Sequence, residues 1–249
     1  MTRYSLIILA LLTLVGCKPR VVEKKVETVK VETTLVYVQP EVADMDKVMN
    51  SVVHIRAYVE ESQYGTEDYL YDGFQGAWQG SGCFISEDGI VMTAGHVVDG
   101  ADRLEVTLRD GTVLESVYFW RADNMDVGFI KVDIENAPAL KFDTDGIELT
   151  EDVFILGHPL GWMNGWTISK GIISNTARDC DGFFGEHLMV QSDAASYPGN
   201  SGGPVVDLNG NIVGVLVGGI GGQECLSYIT PAWIAKEWSD VFSAWLETR

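Results

Sequence analysis

Three short stretches place a hydroxyl, an imidazole and a carboxylate at turns rather than inside regular elements. Ser201 lies in Pro198-Gly199-Asn200-Ser201-Gly202-Gly203-Pro204, which runs straight into the apolar pair Val205-Val206. His96 follows Thr93-Ala94-Gly95 at the end of an apolar run, and Asp126 immediately precedes Val127-Gly128-Phe129-Ile130. A serine alcohol holds its proton too tightly to attack a carbonyl at neutral pH. It needs a base, the base needs an orienting acid, and the oxyanion that forms needs donors. His96 is the candidate base, Asp126 the candidate orienting acid and Ser201 the candidate nucleophile. The glycines permit backbone angles that turn the amides of Gly199 and Ser201 inward together as an oxyanion hole. Losing one such donor typically costs about 3 kcal/mol of transition-state binding. A lone histidine or aspartate at a strand end is an ordinary structural feature, and a glycine-rich turn needs no chemistry. The three residue types together predict acyl transfer.

Positioning these groups requires a rigid scaffold whose strand ends meet. Short apolar runs rich in Val, Ile and aromatics recur at 82–86, 90–93, 103–108, 113–121, 127–132, 152–156, 166–174, 187–191, 203–207, 212–217 and 225–229. They are separated by breakers such as Asp88-Gly89, Asp110-Gly111 and Asn209-Gly210. Many short strands with Gly and Asp turns predict an all-β barrel or sandwich, not an α/β sheet with crossover helices. A short helix is expected over 42–49. A terminal amphipathic helix is expected over 231–246, capped by Thr230, with Pro231 at its first position and an apolar stripe of Ile234, Trp238, Val241, Phe242 and Trp245. The stripe is expected to pack on the barrel. The aromatic-rich stretch 60–79 and the loop 176–186 are expected to be functional loops.

The chain of 249 residues divides into a start, a tether and one domain. Arg3 followed by the apolar run 6–15 reads as a signal peptide over 1–16, too short for a comfortable membrane span. Leu14-Val15-Gly16-Cys17 resembles a bacterial lipobox, which predicts cleavage before Cys17, its lipidation and a membrane-anchored protein on the periplasmic or extracellular side. Residues 17–40, including VVEKKVETVKVETTLVYVQP, read as an extended tether. The domain is expected over 41–249. From Glu41 onward there are 33 acidic and 11 basic residues, which argues against a nucleic-acid partner, whose phosphates this surface would repel. Cys83, Cys180 and Cys225 are scattered singly, so no metal site is expected, and Cys180–Cys225 is the preferred bridge in an oxidising compartment.

The order His96, Asp126, Ser201 and the blocks around them resemble the chymotrypsin-like (trypsin-like) serine peptidases, specifically the HtrA/Deg branch. The resemblance rests on Gly80-Ser81-Gly82-Cys83-Phe84-Ile85, Thr93-Ala94-Gly95-His96-Val97-Val98, the Asp126 block, Gly157-His158-Pro159-Leu160-Gly161, Gly171-Ile172-Ile173-Ser174 and Gln191-Ser192-Asp193-Ala194-Ala195 leading into the serine turn. It implies two six-stranded antiparallel β-barrels with the cleft between them, a C-terminal helix, and hydrolysis of polypeptides through an acyl-enzyme without cofactor or metal. It also implies a substrate pocket at Ala195, Val217, Gly218 and Gly219, with preference for small or apolar residues before the scissile bond (P1). Asp193 is not expected to select basic residues. Homo-oligomers occur in the branch, and the PDZ modules common there are not expected here. His158 stands where the branch usually has asparagine and is expected to serve its loop rather than catalysis. A catalytically silent binding or scaffold lipoprotein is the alternative.

Overall fold

The computed structural model describes residues 42–59, 77–180, 188–219 and 225–249. The signal peptide, Cys17 and the tether lie outside the described residues, as do 60–76 and 181–186 of the two expected functional loops and residue 187 of the strand expected over 187–191. The helix α1 spans Met45–Met49, and Val42, expected within it, precedes it and is exposed. Six strands follow: β1 (Val52–Tyr58), β2 (Ala77–Phe84), β3 (Ile90–Thr93), β4 (Arg103–Thr107), β5 (Val113–Arg121) and β6 (Gly128–Val132). The one-turn helix α2 (Gly95–Val98) sits between β3 and β4. Then come β7 (Asp152–Gly157), a 3-10 turn (Trp162–Asn164), β8 (Thr167–Arg178), β9 (Met189–Ser192), β10 (Pro204–Val206), β11 (Ile212–Gly219), β12 (Ser227–Pro231) and the helix α3 (Ala232–Leu246).

The strands close into two antiparallel barrels, β1-β2-β3-β6-β5-β4 and β10-β11-β12-β9-β8-β7, as the family resemblance implies. Alternation explains the outer strands: in β4, Leu104 and Val106 are buried while Arg103 and Glu105 are only partly covered. The strand β3 is buried at every position because both its faces are covered. Val91 enters the first barrel with Val53, Ile55, Leu104 and Ile130, while Ile90 and Met92 face the opposite side.

The covering layer on that opposite side is α3. Its Phe242 is fully buried, with ring centroids 5.6 Å from Phe129 and 6.1 Å from Trp120, and Trp238 lies 5.4 Å from Trp120. The expected stripe therefore packs on the body, except Val241, which is exposed. The same cluster includes Ile212 and Val215 of β11, so α3 joins both barrels. One boundary differs from expectation. Thr230 and Pro231 end β12, paired with Val215 and Gly214, and Pro231 is the N-cap of α3 without a side-chain cap bond. Pairing with β11 outweighs the local capping signal. Among the described residues no helix is long and apolar enough to cross a membrane.

Candidate active site

The imidazole and the carboxylate come together because β3 pairs with β6. The register Thr93↔Gly128 sets the end of β3 beside the start of β6, so α2 and the residues before β6 share one edge of the first barrel. There Asp126 Oδ2 accepts from His96 Nδ1 at 2.7 Å, and Asp126 Oδ1 accepts from the His96 backbone amide, also at 2.7 Å. One carboxylate thus fixes both the ring and the chain that carries it. Because Nδ1 donates, Nε2 is left as the proton acceptor. Asp126 is buried, whereas the His96 side chain is about half exposed.

Ser201 comes from the second barrel, in the turn before β10. Its hydroxyl donates to the carbonyl of Val217 on β11 at 3.1 Å. The turn is docked on the first barrel: the Ser81 amide of β2 donates to the Ser201 carbonyl at 2.8 Å. Gly202 has φ +84°, and a Cβ there would stand 2.1 Å from Thr93 Oγ1 and 2.6 Å from the amide nitrogen of Ala94. No other residue type allows the turn this close to the strand that leads to His96.

Every carbonyl of the turn from Pro198 to Ser201 is tied. Pro198 O accepts from the Leu160 amide at 2.7 Å, Gly199 O from the Ser81 hydroxyl at 2.7 Å, Asn200 O from the Gly203 amide at 2.9 Å, and Ser201 O from Ser81 as above. The amides of Asn200, Gly202 and Gly203 are spent on Tyr197, Leu216 and Asn200 carbonyls. Those of Gly199 and Ser201 have no partner among the described residues. In a trans peptide the carbonyl and the next amide point opposite ways. Holding the Pro198 and Asn200 carbonyls therefore directs these two amides away from the ties. Gly199 supports this with φ +98°, where a Cβ would stand 2.4 Å from the His158 carbonyl.

Three of the expected pocket residues, Val217, Gly218 and Gly219, end β11. Gly218 and Gly219 pair with Tyr228 and Ser227 of β12 across a register shift. A Cβ at Gly219 would lie 3.6 Å from Ser196 Oγ, which contacts the Ser227 hydroxyl at 2.7 Å. The Val217 side chain is buried with Met189 and Tyr228, so this residue offers its carbonyl rather than its isopropyl group. The Ala195 carbonyl accepts from Ser169 at 2.6 Å. The Asp193 carboxylate accepts from the Ile172 amide of β8 at 2.7 Å.

Two findings depart from the sequence reading. Cys225 is a free thiol, so the expected Cys180–Cys225 bridge is not formed; Cys180 packs beside Met189, Val217 and Tyr228. Sequence reasoning also missed that Ser81, His158 and Leu160 hold the serine turn. His158 is fully buried, and burial, assisted by the nearby His54, lowers its pKa to about 3. Its glycine-flanked block was a visible signal, but its partner Ser81 lies 77 residues earlier. Among the described residues no group of His, Cys, Asp and Glu is arranged to hold a metal ion.

The domain is similar to known proteins. The family model of the trypsin-like peptidase domain matches residues 80–215, more than half of the chain. A probable periplasmic serine endoprotease, DegP-like, from Chlamydia trachomatis is 34% identical over 164 residues, covering 64% of this chain and 33% of that protein. A putative serine protease HhoB from Synechocystis is 40% identical over 140 residues, covering 55% of this chain and 33% of that protein. The chain thus spans about a third of the length of these relatives. Among solved structures, the HtrA-type protease AlgW with a tripeptide matches with TM-score 0.65 and 29% identity over 78% of this chain and 60% of that one. With three blocks of the first barrel, the strand junction of the second and the serine turn inside the matched region, the chain belongs to the trypsin-like peptidase domain family.

Proposed function

We propose that the chain is a serine endopeptidase of the HtrA/DegP type, with Ser201 as nucleophile, His96 as general base and Asp126 as its orienting acid. The observation that carries this reading is the unequal use of backbone groups in the serine turn. Its carbonyls are all tied, while the amides of Gly199 and Ser201 are left to a developing oxyanion. In the reaction the Ser201 hydroxyl leaves the Val217 carbonyl and gives its proton to His96 Nε2 as Oγ attacks the scissile carbonyl. Asp126 supports the imidazolium. The proton passes to the departing amine, and water repeats the sequence on the acyl-enzyme. Release of the Val217 carbonyl frees an acceptor for the main chain of a bound peptide.

The substrate is an exposed or unfolded polypeptide with a small or apolar P1 residue, held between Ala195 and the stretch Val217–Gly219. The relatives named as periplasmic, together with Cys17 after its apolar run, support an exported protein anchored through that cysteine. The test is fluorophosphonate labelling of the purified protein beside Ser201→Ala, followed by cleavage-site mapping on denatured casein. Labelling confined to the parent, with cuts after small apolar residues, is expected. Equal labelling of both, or none, would leave a binding or scaffold protein.

A further inference from the structure

The buried histidine of the loop after β7 makes a set of contacts that a filler residue would not need. Ser81 Oγ is within hydrogen-bond distance of three groups: Gly199 O at 2.7 Å, the His158 amide at 3.0 Å and His158 Nδ1 at 3.1 Å. A hydroxyl has one proton and two lone pairs. The His158 amide can only donate, and Gly199 O can only accept, so the proton of Ser81 goes to Gly199. The remaining lone pair then takes a proton from Nδ1. This fixes His158 as the neutral tautomer carrying its proton on Nδ1. Nε2, which is buried without a partner among the described residues, is left as a bare lone pair rather than a stranded N–H.

The ring that makes this contact is held from every side. His54 of β1 lies 5.1 Å away between centroids, Trp166 meets it edge-on at 4.7 Å, and a Cβ at Gly165 would stand 2.9 Å from its Cδ2. Both His158 and Ser81 are fully buried. The same loop supplies the Leu160 amide to the Pro198 carbonyl, and Gly199 itself rests on the His158 carbonyl. Of the four tied carbonyls in the serine turn, two therefore depend on this loop or on the hydroxyl it orients.

We propose that His158 and Ser81 are positioning residues: the imidazole orients the Ser81 hydroxyl, which anchors the Gly199 carbonyl and so fixes the Gly199–Asn200 peptide that links the two peptides carrying the Gly199 and Ser201 amides. This rests on the peptidase reading and adds two residues that touch neither substrate nor the reacting atoms. Neither the proton nor any electron pair of the reaction passes through them. Their contribution is made before substrate arrives, by removing the conformational freedom of a glycine peptide that would otherwise rotate cheaply. The requirement at 158 is for a donor at the Nδ1 position and not for an imidazole as such. An asparagine amide can supply that donor; a leucine of similar bulk cannot.

The test uses purified protein carrying Ser81→Ala, His158→Leu or His158→Asn, with an activated ester and a peptide as substrates, at matched folded fraction by near-ultraviolet circular dichroism. Ser81→Ala and His158→Leu are expected to lower kcat about 100-fold, the scale of one lost oxyanion donor, with KM little changed. His158→Asn is expected to keep kcat within a few-fold of the parent. Wild-type kcat in folded His158→Leu or Ser81→Ala would overturn the proposal, as would an equal loss in His158→Leu and His158→Asn. Should both of the first two variants fail to fold, the ¹⁵N spectrum of the parent's imidazoles decides. Protonated Nδ1 and bare Nε2 at His158 support the clamp, and the reverse tautomer overturns it. That spectrum also separates the two readings. A parent with the expected tautomer but no Ser201-dependent labelling loses the peptidase reading and keeps the clamp geometry; an active parent with the reverse tautomer loses the clamp alone.

Discussion

Acid should destabilise this fold through His158 in a way that one substitution can isolate. The ordinary imidazole pKa is 6.5, and burial next to His54 lowers that of folded His158 to about 3. Below about pH 6.5 the unfolded chain takes up a proton at this site while the folded chain does not. Stability therefore rises with pH across the window and is lost as pH falls from about 6.5 toward about 3. Each pH unit inside the window is worth about 1.4 kcal/mol. At pH 5, some 1.5 units below the unfolded value, the loss is about 2 kcal/mol. Near pH 3 it approaches 5 kcal/mol, comparable to the whole stability of a small domain.

Carboxylates titrate over part of the same range, so the parent's acid sensitivity alone proves nothing about one histidine. Urea unfolding of the parent and of His158→Asn at pH 7.5 and pH 5 removes that ambiguity, because the other groups are common to both proteins. Asparagine does not titrate, so the stability difference between the two proteins is expected to move by about 2 kcal/mol in favour of the variant at pH 5. Two curves that stay parallel over this range, whatever their offset, would refute the reasoning. That result would mean that folded His158 accepts a proton as readily as an exposed imidazole and is not held neutral by its surroundings.

Asp126→Asn is expected to keep the fold but lower kcat about 10⁴-fold, because an amide facing Nδ1 can donate and so stabilises the tautomer whose Nε2 carries the proton; steady-state assay with matched thermal melts checks this. Phe242→Ala, which empties the space between Phe129 and Trp120, should cost about 3–5 kcal/mol in urea unfolding and should weaken the attachment of α3 to both barrels. A thiol reagent with mass-spectrometric mapping should modify exposed Cys225 in the native protein. Cys83, buried completely with its thiol pKa pushed upward by that burial, should react only after denaturation.

Barrel strands could be read from the sequence wherever a pleat with one wet face imposed alternation and a Gly or Asp turn closed the run, as in β4 and around Asp110-Gly111. Elements whose limits depend on distant partners could not. Thr230-Pro231 carries a strong local helix-start signal, yet pairing with Val215 and Gly214 makes it the end of a strand. The continuous apolar run of β3 hides the fact that its two faces serve different cores, because α3 supplies the second face from more than a hundred residues away. The candidate site divides the same way. Ser201 and His96 stood out because small residues that a turn requires flank them, whereas Asp126 was marked only by its place just before an apolar strand. The meeting of His96 with Asp126 follows from a strand register, Thr93↔Gly128, and the serine turn is docked on the first barrel by bonds such as that from Ser81 to Ser201, neither of which leaves a local trace. Glycines make the inward amide geometry accessible but do not choose it. The Gly199 amide is turned by the tie on the Pro198 carbonyl, and the peptide that follows Gly199 is anchored through its carbonyl; the donors, Leu160 and Ser81, lie in other parts of the chain. The chemical competence of the serine turn is therefore a property of the junction between the barrels, and a transplanted copy of Pro198–Pro204 alone should lack it.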